Sequence, residues 1–417
     1  MKTILITLLT IILLNDVVVA NDESSVAYFA NMPFRETPYA DLRGIFPISK
    51  TQAQTRKHYR FKYDVQGRVT EVAFMQGDDY MPLNISRNAL THASITKITY
   101  LDNGESRLFF DHLGEPTTSN GVYREEYRYN KLGYRTSLKF YNEADEQIES
   151  RWEIYLYEWH TDKFGTVTEQ RFNKVGEPAS LRRGFKFYRL KLHYDARGWL
   201  SMMENYGKDC KELTLSSQNG AQDKLEYDIN GAILSWNVFN EKQQPVSGNG
   251  PNVTRGIMIP DEFGHTIRQY YLDAEGNQIT NAYGWTDSTS LYDSHGNMKS
   301  RFNYNAEGKR IINPQVGYSG YRFTYDKEGK YRTSMAYYDE NDKPAYHSVR
   351  GYHRLVTRRD AKGQLESHKF LDSQGNLVSR KDNCVATIMY QYGEKNEIKE
   401  TIRLDANRKP VTSCQAD

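Results

Sequence analysis

The sequence predicts an all-β protein, in which antiparallel β-hairpin repeats (about eleven units of about 33 residues) stack into an extended curved or spiralling sheet, a solenoid. Three observations predict it. A turn motif close to D-x-x-G returns at a nearly fixed period. The segments before each turn alternate between apolar and polar residues, as half-buried strands do. The chain is also rich in aromatics, with 32 Tyr and 17 Phe, which suit a pleated sheet.

Each repeat is predicted to contain a first turn and a second turn about 12 residues later. Asp or Asn at the first turn position accepts a hydrogen bond from the backbone two residues on, and Gly at the fourth supplies positive φ. The unit at residues 102–111 is irregular, because its two turns are only nine residues apart. The first turns open at Asp64, Asp102, Asn130, Asp162, Asp195, Asp228, Asp261, Asp293, Asp326, Asp360 and Gly393.

The strand before each first turn carries an apolar residue three positions before the turn and usually a Tyr one position before it, as in Phe61 and Tyr63. Lys62 between them is polar, so one strand face is predicted to be buried. Stacking would align these positions into a column that neighbouring repeats bury together. A second column, also predicted as core, precedes the second turns at Tyr141, Phe172, Tyr206, Phe239, Tyr304 and Tyr338.

The N-terminus has the pattern of a secretory signal peptide, residues 1–20. Lys2 precedes an apolar run, residues 4–14, that is too short to span a bilayer, and cleavage is predicted after Ala20. An uncleaved anchor is the alternative. No later segment is apolar enough to be a transmembrane segment. We therefore expect a periplasmic or secreted protein, with an N-terminal capping segment (21–51) followed by the repeat domain (52–417).

Three cysteines are present, and two of them lie about one repeat length apart. Cys384 and Cys414 are 30 residues apart, which allows a disulfide across adjacent repeats in an oxidising compartment. The sequence leaves open whether they are bonded. Cys210 remains, and we interpret it as an inert buried thiol.

The segments "YDVQGRVTEV" (63–72) and "HYDARGWLSMM" (193–203) resemble YD repeats of the RHS type. The resemblance implies curved or spiralling β-sheets at cell surfaces. It also implies a shell role, as in members that enclose toxins, or carbohydrate binding, to which other members have been linked. The unit with two turns departs from the shorter spacing of that family.

Composition and motifs exclude several function classes. The net charge of +2 argues against a nucleic-acid binder. The chain contains no H-E-x-x-H, C-x-x-C, P-loop or G-x-S-x-G motif, so enzymatic activity is uncertain and not favoured. The Asp-rich turns lack a calcium-loop pattern and are interpreted as hairpin turns. We expect no cofactor and no metal.

Four tryptophans are the candidate binding residues, because they occupy different repeat positions and so do not form one core column: Trp152, Trp199, Trp236 and Trp285. Exposed Trp on a sheet can contact a sugar ring or a protein partner, whereas local packing is the alternative. The leading hypothesis is an exported scaffold that binds a polysaccharide or a protein. The alternatives are a shell-like structural component and a hydrolase of envelope polymers that uses carboxylates of neighbouring strands.

Overall fold

The computed structural model describes residues 25–83, 92–181, 187–207, 211–394, 396–412 and 414. Over these residues the protein is all-β, with 26 strands in one open antiparallel sheet, so the predicted fold class is confirmed. Residues 1–20 and Cys210 lie outside the described residues. The described part has one helix, α1 (Lys50–Thr55), and no helix there is long and apolar enough to cross a membrane.

The strands follow one another along the chain and pair mainly with their sequence neighbours. Their bounds are β1 (Val26–Asn31), β2 (Ile45–Pro47), β3 (Lys57–Tyr63), β4 (Val69–Gln76), β5 (Asp79–Tyr80), β6 (Ile95–Leu101), β7 (Gly104–Phe110), β8 (Arg124–Tyr129), β9 (Arg135–Tyr141), β10 (Gln147–Ile148), β11 (Leu156–Thr161), β12 (Val167–Phe172), β13 (Arg189–Tyr194), β14 (Leu200–Tyr206), β15 (Gln222–Tyr227), β16 (Ile233–Phe239), β17 (Arg255–Pro260), β18 (Thr266–Leu272), β19 (Asp287–Tyr292), β20 (Met298–Tyr304), β21 (Gly320–Tyr325), β22 (Arg332–Tyr338), β23 (Arg354–Arg359), β24 (Leu365–Leu371), β25 (Thr387–Tyr392) and β26 (Ile398–Leu404).

The described residues contain eleven hairpins, each formed around one of the predicted first turns. We number them in chain order: β3–β4, β6–β7, β8–β9, β11–β12, β13–β14, β15–β16, β17–β18, β19–β20, β21–β22, β23–β24 and β25–β26 are hairpins 1 to 11. The second strand of each hairpin pairs with the first strand of the next, which makes the sheet continuous.

The first turns have the predicted chemistry. In hairpin 1, Asp64 Oδ1 accepts hydrogen bonds from the backbone amides of Gln66 (3.0 Å) and Arg68 (2.9 Å). Gly67 has φ of 75°, a conformation that favours glycine. Hairpin 2 is shorter because Leu101 pairs directly with Gly104, which leaves a two-residue turn and explains the nine-residue spacing.

The connectors whose residues the structure describes throughout contain a third turn, which was not predicted from the sequence. These connector turns lie one above the next and hydrogen-bond to each other through the backbone. The amide of Ala282 donates to Pro251 O (2.7 Å), and that of Ser348 donates to Val316 O (2.8 Å). This ladder runs beside the sheet and satisfies backbone groups of the connector turns themselves.

The first aromatic column lies on the inner face of the curved sheet, as predicted. Phe61 and Leu192 are fully buried there. Two of the Tyr hydroxyls join neighbouring repeats, because Tyr325 donates to Met298 O (2.9 Å) and Tyr392 donates to Leu365 O (2.9 Å). This hydrogen bond gives a physical reason for Tyr in these two repeats.

The second column is not core, which corrects the prediction. Its members are half-buried, and the buried residue is the one before, such as Phe140 and Tyr337. The second-column rings face the opposite side, and a cation lies over the rings of Tyr141, Tyr206 and Tyr338. The Arg124 guanidinium lies 3.8 Å from the ring centre of Tyr141. Each column thus follows one face of the pleat, and only the inner face is a true core.

The sheet spirals until its beginning meets hairpins far along the chain. The backbone amide of Lys57 in hairpin 1 donates to His295 O (2.9 Å) in hairpin 8. Gln76 donates to Glu328 O (2.8 Å) in hairpin 9. His112, at the end of hairpin 2, lies against the first turn of hairpin 10. One turn of the spiral therefore takes between seven and eight hairpins, and we call this line of contact the seam.

The N-terminal segment, residues 25–48, does more than cover one end. β1 pairs with the free edge of β3. Residues 31–46 then run across the inner face, where Arg35 and Leu42 are buried. The ring of Tyr39 packs against Trp159 and its hydroxyl hydrogen-bonds Thr161 (2.8 Å). This segment fills the inside of the spiral next to hairpins 1 to 6.

Candidate binding cleft

An open cleft of about 670 Å³ lies where the N-terminal segment meets the inner face of hairpins 1 to 5. The first-turn glycines Gly67, Gly133 and Gly198 form one edge, and Asp41 and Arg43 of the N-terminal segment form another. The volume is in the range typical of small-molecule sites. We refer to it as the inner cleft.

Three charged residues at the base of the inner cleft form a central network: Glu105, Arg107 and Arg135. Glu105 forms ion pairs with both arginines, and its Oε1 lies 3.1 Å from Arg135 Nη2. Burial raises the pKa of Glu105, but the two arginines outweigh burial and hold it at about 2. Glu105 is therefore ionised at all ordinary pH values.

The network also fixes the N-terminal segment. Arg135 pairs with Asp41 (2.9 Å) and donates a hydrogen bond to Tyr39 O. Because an unpaired buried guanidinium is costly, these contacts hold residues 39–41 against hairpin 3. The cleft wall is thus built by long-range ion pairs.

Tyrosine rings line the cleft above the network. Tyr63, Tyr100 and Tyr134 all contribute, and Tyr134 is 41% exposed at the rim. The guanidinium of Arg68 lies 4.1 Å from the ring centre of Tyr100. Burial, and after it the charge of Glu105, raises the pKa of Tyr100 to about 12, so its hydroxyl remains a donor.

The charges of the cleft are largely compensated. Arg68 pairs with Asp64 (2.7 Å), while Arg107 and Arg135 share Glu105. The Arg43 guanidinium donates to the carbonyl of Arg197 (2.8 Å), a neutral partner, so its charge is the one that the described ion pairs leave unbalanced. The inner cleft therefore offers aromatic faces and polar groups without a strong net charge.

The structure places two of the predicted tryptophans under other residues. Trp199 is half-buried against the N-terminal segment, and its ring stacks on Tyr227 with centroids 6.1 Å apart. Trp236 is half-buried beneath Gly256, where an added Cβ would lie 2.3 Å from the indole.

Trp285 is buried beside Tyr271, with ring centroids 5.0 Å apart, and Trp152 packs against the largest core cluster. The structure does not bring the four together at one surface, and none of them lines the inner cleft. Their role in ligand binding stays a prediction, and their contacts favour local packing.

Cys384 and Cys414 form a disulfide, with Cα atoms 5.5 Å apart. It joins the connector turn before hairpin 11 to the segment that follows β26. The bond therefore closes a loop around the last hairpin, whose outer strand is an edge of the sheet.

Among the described residues, no group of three or more His, Cys, Asp or Glu side chains is placed to hold a metal ion. His160 and His193 occupy equivalent positions in neighbouring hairpins, but they have different surroundings. His193 Nε2 lies 3.2 Å from Glu204 Oε2, whereas His160 is exposed.

Sequence reasoning missed the cleft residues, although a signal was present. The first strand position after each first turn is apolar in most repeats, as in Val69, Leu200 and Leu365. Arg135 breaks this pattern in hairpin 3 and Thr266 in hairpin 7. In hairpin 9 the turn is one residue longer, and only the strand pairing places Arg332 at the same position. A cation in an otherwise apolar column marks a position where the inner face carries a charged group and not only packed apolar side chains.

No family model matches the chain, and no curated protein matches it. A chain of the TcdB2-TccC3-TEV crystal structure aligns with 83% of this chain and 17% of its own length, at 10% identity and a TM-score of 0.26. A chain of the Photorhabdus luminescens Tc holotoxin pore aligns with 90% of this chain and 22% of its own, at 10% identity and a TM-score of 0.23.

A porin-like protein from Bacteroides uniformis aligns with 66% of this chain and 85% of its own length, at 10% identity and a TM-score of 0.23. This chain thus spans about a fifth of the length of the two Tc toxin chains. Likenesses at these values carry no argument about function. The resemblance to YD repeats stays a prediction as a family assignment.

Proposed function

We propose that this protein is an exported, non-catalytic scaffold whose inner cleft binds a neutral oligosaccharide segment of a polysaccharide. The observation that supports this proposal most is the combination of tyrosine rings with compensated charges around a concave space of about 670 Å³. Sugar rings present apolar C–H faces that pack on aromatic rings, and hydroxyls that hydrogen-bond polar side chains.

A saccharide fits the cleft better than a protein does. Protein partners need large surfaces with a buried apolar centre, whereas the inner cleft is narrow and is walled by ion pairs. An enclosing shell is not supported by the structure around hairpins 1 to 6, because the N-terminal segment occupies their inner face.

A hydrolase of envelope polymers also lacks support in the cleft. Glycoside hydrolysis by the usual route needs one carboxylic acid that is protonated at working pH. Glu105, with a pKa of about 2, is ionised and shared by two arginines. Asp41 is paired with Arg135. The carboxylates that line the inner cleft thus serve its structure.

The test is binding of a panel of neutral oligosaccharides to the chain from residue 21, measured by calorimetry and by saturation-transfer NMR. Tyr134→Ala removes a rim ring, and we expect it to weaken binding at least tenfold without changing Tm. Tyr283→Ala is the matched control, since Tyr283 is 38% exposed and Tyr134 is 41% exposed. Equal binding by both variants would refute the cleft as the site.

A further inference from the structure

A second concave site lies on the seam, where hairpin 1 meets hairpins 8 to 10. It is a pocket of about 400 Å³, which we call the seam pocket. Lys57 enters it from the start of β3, and Asn297 from the first turn of hairpin 8. Arg332 and Arg359 enter it from β22 and β23. No carboxylate is among its described lining residues, in contrast to the inner cleft.

Three of its cations form no ion pair with a described carboxylate, although Asp293, Asp326 and Asp360 lie near enough to act on them through space. A fourth, Lys330, pairs with Asp79. Within the described part of the chain, no carboxylate forms an ion pair with Lys57, Arg332 or Arg359.

The polar contacts that two of these cations make are with neutral groups. Lys57 Nζ donates to Asn297 Oδ1 (2.6 Å), and Arg359 Nη1 donates to Gly363 O (2.6 Å). Arg359 Nε is buried without a hydrogen-bond partner among the described residues. The pocket thus holds donors that protein groups do not fully satisfy.

The nearest carboxylates are committed to turns. Asp293 Oδ1 accepts from the amide of Asn297 (2.9 Å), and Asp326 Oδ1 accepts from the amide of Lys330 (2.7 Å). Burial lowers the pKa of Lys57 to about 8, which shows that these two carboxylates do not compensate its loss of hydration.

The repeat itself shows that the fold does not need these cations. By strand pairing, Leu365 occupies in hairpin 10 the position that Arg332 has in hairpin 9, since each pairs with the residue directly before its turn. Tyr325 and Tyr392 occupy in hairpins 9 and 11 the position of Arg359. Neutral residues therefore build the same inner face, and the arginines at the seam pocket are additions to it.

We propose that the seam pocket binds an anionic group, a phosphate, sulfate or carboxylate. A guanidinium presents paired N–H donors that match the oxygens of such a group, and a lysine adds a point charge. The rings of Tyr325 and Tyr331 line the pocket beside these cations. The site is separate from the inner cleft and does not depend on what that cleft binds.

The first experiment is calorimetric titration of the chain from residue 21 with inorganic phosphate, sulfate and acetate at low ionic strength, where screening is weak. Arg332→Leu and Arg359→Tyr introduce residues that sibling repeats already carry, so both variants should fold. We expect each to weaken anion binding at least tenfold, since a charge-assisted hydrogen bond contributes that much. Arg354→Gln, an exposed change on the same strand as Arg359, should leave binding unchanged.

Two results would overturn the proposal. Either no anion binds the unsubstituted protein below about 10 mM, or the two variants bind anions as tightly as the unsubstituted protein does.

A second experiment identifies the source of the anion by titrating a sulfated, a phosphorylated and a uronic-acid saccharide. Tighter binding of one of these than of its free anion, lost in Arg332→Leu, assigns the group to a saccharide. Equal affinity assigns the pocket to the free ion. Tyr134→Ala should change neither the affinity for the free anions nor that for the charged saccharides, which separates the test of the seam pocket from the test of the inner cleft.

Discussion

The same substitution at two equivalent positions should have very different effects. Arg135 and Arg332 both occupy the first strand position after a first turn, where Leu200 and Leu365 stand in other repeats. Leucine is therefore compatible with the backbone at both. Arg135→Leu, however, removes the ion pairs to Glu105 (3.1 Å) and Asp41 (2.9 Å), whereas Arg332 has no carboxylate partner among the described residues.

Breaking a buried ion pair by removing one partner costs about 3 to 5 kcal/mol. Because Arg107 still pairs with Glu105, we take about 3 kcal/mol for Arg135→Leu, the lower end of that range. At about 2.1 cal/mol/K of unfolding entropy per residue, this lowers Tm by about 3 to 4 °C if the array unfolds cooperatively. Arg332→Leu should change the free energy of unfolding by less than about 1 kcal/mol.

Differential scanning calorimetry of the two variants, in a buffer without phosphate or sulfate, measures both shifts under one condition. Hydrogen exchange at residues 31–46 then locates the change, since Arg135→Leu should release the N-terminal segment and Arg332→Leu should not. Equal Tm shifts for the two variants would refute the reasoning, because the expected difference in Tm comes from the ion-pair partners of each arginine and not from its position in the repeat.

Three further outcomes are expected. Gly256→Ala should lower Tm by about 1 to 4 °C, since an added Cβ would lie 2.3 Å from an atom of the Trp236 ring and overpacking costs about 1 to 3 kcal/mol; an unchanged Tm would show that the ring can move aside. Reduction of the Cys384–Cys414 disulfide, which closes a 30-residue separation, should destabilise hairpin 11 by about 3 kcal/mol, seen as faster hydrogen exchange confined to β25 and β26. Glu105 has a folded pKa of about 2, below its unfolded value of about 4.3, so its contribution of roughly 3 kcal/mol is present above about pH 4.3 and is lost as pH falls towards 2. An acid-unfolding midpoint that Glu105→Gln leaves unchanged would contradict this account.

The hairpins could be predicted because their determinants are local. Asp64 and Gly67 specify a turn through contacts within five residues, and the period of the array repeats that information eleven times. The second column was misassigned because adjacent residues, such as Phe140 and Tyr141, belong to opposite faces, and a bulge between the strands shifts which one is buried.

The sites could not be predicted in the same way. Lys57 and Asn297 meet although 240 residues separate them, because the pitch of the spiral brings hairpin 1 over hairpin 8. That pitch is the sum of many small strand twists, and no short sequence pattern encodes it. Arg135 likewise reaches Tyr39 from 96 residues away. Sequence showed only that Arg135 interrupts an apolar column.

The seam also limits how such an array can evolve. In a simple solenoid each unit touches only its neighbours, so a unit can be duplicated or deleted anywhere at little cost. Here the contacts of Lys57 with His295 and of Gln76 with Glu328 require a fixed number of hairpins between them. Gain or loss of one hairpin in that interval would rotate the first hairpin out of phase with its partners and would dismantle the seam pocket. Hairpins could be added without that penalty at the edge formed by β26, which follows the hairpins that form the seam.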